Sequence, residues 1–134
     1  MTFLVNGVNL RTRYFGKSQF TPTGQLYVWG NNNSSALGNN STTNQFSPVQ
    51  LGTNLWKQVS GGRYFSIGIQ SNGTLWTWGS DGYGQLGINT TTNTSSPTQV
   101  GNNLWSQIGA GGYHSLAIQS NGTLWAWGYN GTVN

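Results

Sequence analysis

The sequence predicts an all-β fold: β-propeller blades of about four antiparallel strands each, with two to three blades in the chain. Three observations carry the prediction. Trp29, Trp78 and Trp127 are spaced by 49 residues, and the same spacing separates Pro48 from Pro97, Gly52 from Gly101 and Trp56 from Trp105. A period near 50 residues is the mark of propellers and related arrays. The stretch Gly73-Thr74-Leu75-Trp76-Thr77-Trp78-Gly79 recurs as 122–128 and, more weakly, as 24–30. On a strand Leu75 and Thr77 face one way and Trp76 and Trp78 the other, so both faces carry apolar bulk and the strand belongs inside a stack of sheets. Finally, turn residues cut each period into about four short strands, the content of one blade.

In chain order, residues 1–19 stand outside the repeat and form a leader. Within it Leu4-Val5-Asn6-Gly7-Val8 sets Asn-Gly between apolar residues, a hairpin signal. Arg11, Arg13 and Lys17 follow; a solvated linker is the favoured reading, a docking arm for an acidic partner the sharper one. The repeats occupy residues 20–134. Pro22-Thr23-Gly24 turns the chain into a first strand, 25–30. The polar tract 31–45 reads as a loop that builds no core, with at most a short strand around Ala36-Leu37. An outer strand at 46–52 contains Pro48, which lacks a ladder donor. Strands at 55–59 and 65–69 flank Gly61-Gly62, and Ser71-Asn72-Gly73 turns into the organising stretch. From 80 to 128 the plan repeats, with its polar loop at 88–95; of the 25 residues 55–79, 16 are identical in 104–128. A third unit begins after Gly128.

Composition narrows the function classes. Charged residues make up 4% of the 134, with five Lys and Arg and a single acid, so solubility rests on Asn, Ser, Thr and Gln. The net charge of +4 comes from too few groups to make the field that nucleic acid requires, which argues against such a partner. Without cysteine there is neither disulfide nor thiolate metal site. No apolar run reaches the roughly 18 residues of a membrane span, and 1–10 lacks the basic start of a secretory signal.

The Trp78-Gly79-Ser80-Asp81-Gly82-Tyr83-Gly84-Gln85-Leu86-Gly87 exit, with the Gly-Gly turn, the Ser-apolar strand and the Asn-Gly turn of 112–122, resembles the regulator of chromosome condensation repeat over residues 20–134. The resemblance implies a propeller of four-stranded blades, usually seven, and no catalysis by itself. The family's founder is a nucleotide exchange factor for a nuclear GTPase that also binds chromatin, and bacterial relatives include secreted β-lactamase inhibitors. The charge-poor repeats and the opening 3–10 also resemble environmental phage proteins that append such repeats to a virion-type leader.

Chemistry has few candidates here. His114 aligns with Phe65, which makes it an aromatic in a packing slot rather than a catalytic or metal-binding group. Asp81 aligns with Asn32 and Asn130, as a side chain bonding a turn does. Two such groups make no metal site, and the glycines of 79–87 fit neither a Walker loop nor a dinucleotide fingerprint. No enzyme activity, metal or cofactor is expected. Surface remains: Arg63, Tyr64, Tyr113 and His114 at one blade corner, and Tyr83 among the polar loops, are the candidate binding residues.

The expectation is therefore a non-enzymatic structural or binding protein, a virion appendage or extracellular surface-recognition component, contacting a protein or glycan. The alternative is a regulatory protein-binding module of the exchange-factor or inhibitor kind. Two blades and part of a third leave apolar faces and free edges, so the chain is expected to join copies of itself or adjoining blades of a longer array. A trimer of two-blade copies and a dimer with a composite third blade both give six blades.

Overall fold

The computed structural model describes residues 2–5, as backbone, and 23–132. The Asn6-Gly7 turn, the basic residues of the leader and Pro22 lie outside them. All described strands pair antiparallel: β1 (Thr2–Val5), β2 (Gly24–Gly30), β3 (Gln45–Gly61), β4 (Phe65–Gln70), β5 (Leu75–Gly79) and β6 (Thr94–Gln99) follow one another in a six-stranded sheet, and β7 (Trp105–Ala110), β8 (His114–Gln119) and β9 (Leu124–Gly128) make a second. The long β3 joins two blades. Its first half pairs with β2 and its second with β4, and between them Gly52 takes φ 63°, a left-handed conformation that a residue with a Cβ adopts at a cost. The two strands expected at 46–52 and 55–59 are thus one; a period later the same path is divided into β6 and β7 around Gly101.

The complete blade is the second half of β3 with β4, β5 and β6. Leu75 and Thr77 are fully buried on one side of β5 and Trp78 on the other, as their alternation requires. One core joins Leu26, Val28, Leu51, Trp56 and Trp78 with Leu37; the next joins Leu75, Trp105, Ile67, Ile69 and Ala117, with Trp127 against them. Trp56 meets Trp78 edge-on at 5.6 Å between centroids, and Trp105 meets Trp127 at 6.1 Å. Such pairs add to the area they bury. The leader's described part enters the same scheme. β1 lies beside β2 as β4 lies beside β5, with Thr2 opposite Trp29 as Ser66 is opposite Trp78.

The polar tracts differ from their expectation in one respect. They are loops as expected, without a strand at Ala36-Leu37, but they do reach the core, because Leu37 and Leu86 are fully buried. Each tract plugs into the following blade. The Ala36 carbonyl accepts from Ser66 Oγ at 2.7 Å and Trp78 Nε1 at 2.9 Å, and the Gln85 carbonyl accepts from Ser115 Oγ and Trp127 Nε1 at the same distances. Inside the tract a buried side chain supplies what a strand would otherwise supply. Asn32 Oδ1 accepts the Leu37 N–H at 2.9 Å while its Nδ2 donates to the Ser41 and Thr43 carbonyls. Asp81 Oδ1 likewise accepts the Leu86 N–H at 2.8 Å.

Candidate functional site

The corner where neighbouring blades meet is built from two kinds of turn. Gly62-Arg63-Tyr64 links β3 to β4, and Gly111-Gly112-Tyr113 links β7 to β8 one period later. The Arg63 N–H donates to the Gly112 carbonyl at 3.2 Å, so the two turns lie side by side. Tyr83, from the tract after β5, and Tyr129, just after β9, approach the same place. The rings form a connected group: Tyr64–Tyr113 at 6.4 Å, Tyr83–Tyr113 at 5.3 Å, Tyr83–Tyr129 at 4.8 Å and Tyr113–Tyr129 at 6.5 Å.

Arg63 lies between two of these rings, its Cζ 5.2 Å from the Tyr64 centroid and 5.8 Å from that of Tyr113, close enough for cation–π attraction. Hydrogen bonding to the Tyr64 phenol, and then the charge attraction of the Tyr113 oxygen, raise its pKa above the ordinary value. It is a cation at any accessible pH. No acidic side chain offsets it: Asp81, the chain's single acid, is buried and hydrogen-bonded to Leu86 and Thr90. Arg63 also lines two hollows, one of about 360 Å³ beside Asn31, Asn33 and Ser34, the other of about 900 Å³ beside Tyr113, His114 and Tyr129.

Of the five residues singled out from the sequence, Arg63, Tyr64, Tyr83 and Tyr113 come together. His114 borders the larger hollow, but its ring lies against Gly111, where a Cβ would come within 2.2 Å of it, just as the Phe65 ring lies against Gly62. It occupies the Phe65 slot, exposed where Phe65 is buried. Tyr129 was missed. Its counterparts are Ser80 and Asn31, so the period gives it no aromatic precedent; its place directly after a Trp-Gly exit, where the polar tracts begin, was the available signal. Among the described residues no group of three or more His, Asp or Glu gathers as metal ligands, and no helix is long and apolar enough to cross a membrane.

Comparison with known proteins gives a consistent answer for fold. The sequence model of the Regulator of chromosome condensation (RCC1) repeat matches residues 23–69 and 72–118, and a second model of the same repeat matches 56–85 and 105–132. No curated protein matches in sequence. Among solved structures, human WBSCR16 superposes with a TM-score of 0.72 at 22% identity over 78% of this chain and 28% of its own. Yeast RCC1 (Prp20), in a structure with Kap60 bound, gives 0.71 at 21% identity over 79% of this chain and 28% of its own. Prp20p of Saccharomyces cerevisiae, a structure reported together with its binding properties to Gsp1p and histones, gives 0.67 at 23% over 78% and 26%. The chain spans little more than a quarter of the length of these structures.

Proposed function

The chain belongs to the regulator of chromosome condensation repeat family, and from that premise we propose that it is a non-enzymatic binding scaffold whose working surface is the arginine–tyrosine corner. The setting proposed is a virion appendage or another extracellular surface-recognition component. The single observation that carries the reading is the Arg63 guanidinium, without an acidic partner, held between tyrosine rings, with Tyr83 54% and Tyr64 40% exposed around it. Tyr and Arg concentrate binding energy because they bring large, stiff contact area and directional donors. The charge-poor, amide-rich tracts beside the corner suit a surface that works outside cells. A regulatory protein-binding module is the second reading, favoured by the described partners of the structural neighbours, Kap60 for yeast RCC1 and Gsp1p and histones for Prp20p.

Retention assays with the immobilised chain separate these readings. Retention of particles or cell-wall polysaccharide, lost in Tyr83→Ala, is the expected result. Capture of one stoichiometric protein, lost in the same variant, would favour the second reading. Retention unchanged by both Arg63→Ala and Tyr83→Ala would remove the corner from the function.

A further inference from the structure

We propose that the corner binds a carboxylated sugar within an extended acidic polysaccharide, the Arg63 guanidinium taking the carboxylate and the tyrosine rings the sugar faces. The inference rests on the binding role proposed for this corner and adds the class of ligand. Its first ground is charge. Arg63 is exposed, permanently cationic and without an acidic partner, and the chain's one carboxylate side chain is buried in hydrogen bonds elsewhere. Among the described residues, an anion approaching the corner meets no like charge. The planar guanidinium matches a carboxylate with two parallel N–H donors, a geometry that an ammonium does not reproduce.

Among the described residues the corner holds one guanidinium, and that favours one kind of anion. Lys57 and Arg63 are the only Lys or Arg among the described residues; Lys57 lies within β3, away from the tyrosine corner, and His114 borders the larger hollow. A run of aspartates or glutamates, or a nucleic-acid backbone, needs several cations spaced along it. One guanidinium surrounded by neutral amides, hydroxyls and aromatic rings suits a ligand with a single carboxylate per unit and many hydroxyls between. Tyr83 and Tyr64 offer ring surface for sugar C–H groups; Asn31, Asn33 and Ser34 in the smaller hollow offer donors and acceptors for hydroxyls. A unit seated in the smaller hollow at Arg63 and Tyr64 has its chain neighbours over the adjoining Tyr113 and Tyr83 rings, so the ligand is a chain rather than a lone sugar. The smaller hollow adjoins a junction already covered by the following blade, so it persists when blades stack.

Calorimetry with a galacturonate tetramer, its fully methyl-esterified counterpart and a glutamate tetramer tests the proposal on the intact chain. The acid sugar is expected to bind, with the ester and Arg63→Ala each weakening it by about tenfold or more, the scale of a lost hydrogen-bonded ion contact. Arg63→Lys should recover only part, and Tyr83→Ala should weaken acid and ester alike. Every variant must melt as the native chain does; these positions are exposed, so folding is retained. Equal binding of acid and ester, tighter binding of the glutamate peptide, or no binding of the galacturonate would each overturn the proposal. In the last case, particle retention that still depends on Tyr83 would leave the corner's binding role standing with a different ligand.

Discussion

Asp81 carries a charge where its counterparts Asn32 and Asn130 carry none. Burial raises its pKa, and the opposing hydrogen bonds from the Leu86 N–H and the Thr90 hydroxyl are the weaker influences. A carboxyl whose folded value is raised takes up its proton in the folded state first. Its favourable contribution is complete below the ordinary carboxylate value and is lost as pH rises through the raised one. Asp81→Asn restores the arrangement of Asn32, whose amide also donates to two carbonyls. The variant should be more stable than the native chain at neutral pH and lose the fall in stability that sets in as pH rises above the ordinary carboxylate value of about 4. Melting curves across that rise check it, and a variant less stable than the native chain at pH 7 would refute it.

Two further residues calibrate the core against the tracts. Trp78→Ala removes a fully buried ring and its bond to the Ala36 carbonyl, and should cost about 3 to 5 kcal/mol. Asn93, read from the sequence alone, stands in a free polar loop where Ala would cost almost nothing. Its Oδ1 in fact accepts the Asp81 N–H at 2.8 Å, as Asn44 does for Asn32, so Asn93→Ala should cost about 1 kcal/mol. Denaturant unfolding of both variants should therefore differ several-fold; equal costs would contradict the stacked-blade core.

At the scale of elements, the polar tract is the connector that fixes one blade on the next. Gly38 sits at φ 72° with the Trp78 ring 2.7 Å from where a Cβ would be, and Gly87 stands in the same relation to Trp127 at 2.5 Å. A Cβ at Gly38 meets both a left-handed backbone and a rigid indole. Gly38→Ala should cost about 2 to 4 kcal/mol, summing the two effects, whereas Gly82→Ala, with open space and an ordinary φ, should be near neutral. Thermal melting of the pair decides, and a neutral Gly38→Ala would mean that the tract does not seat on the ring. The strands were legible because alternation and a gapless period both mark them; Leu75 and Trp78 were placed on the correct faces by parity alone. What the tracts do was not. Their bonds have no hydrophobic period: the one that Asn32 accepts from Leu37 was announced by its alignment with Asp81, read as a side chain bonding a turn, and the one that Asn93 accepts from Asp81 only by the recurrence of Asn44 at Asn93. The corner was largely legible: Arg63 beside Tyr64, and Tyr113 aligned with Tyr64, pointed to it, but Tyr129 aligns with Ser80, so its joining them is a fact of packing.

For the whole molecule, the same side chains take two environments. Ile67 and Leu75 are fully buried beneath the next blade, while their counterparts Leu116 and Leu124 are 40% and 67% exposed. Gln58 exchanges two hydrogen bonds with the Ile108 backbone across the junction, at 3.0 and 3.2 Å, while its counterpart Gln107 is exposed. The last sheet therefore presents half of a blade junction, and we propose that a further blade, from another copy of this chain or from adjoining blades of a longer array, supplies the other half. Such an interface is head-to-tail, which closes into a ring or extends into a filament. Covering it removes an apolar patch from water at roughly 25 cal/mol per Å². The most direct measurement is the mass of this 134-residue chain by light scattering across concentration, for the native sequence and for Leu116→Asp with Leu124→Asp. An integer multiple of the chain mass for the native protein, falling to a single folded chain in the double variant, is the predicted result. A native chain that stays a dilute-solution monomer and melts cooperatively would contradict it.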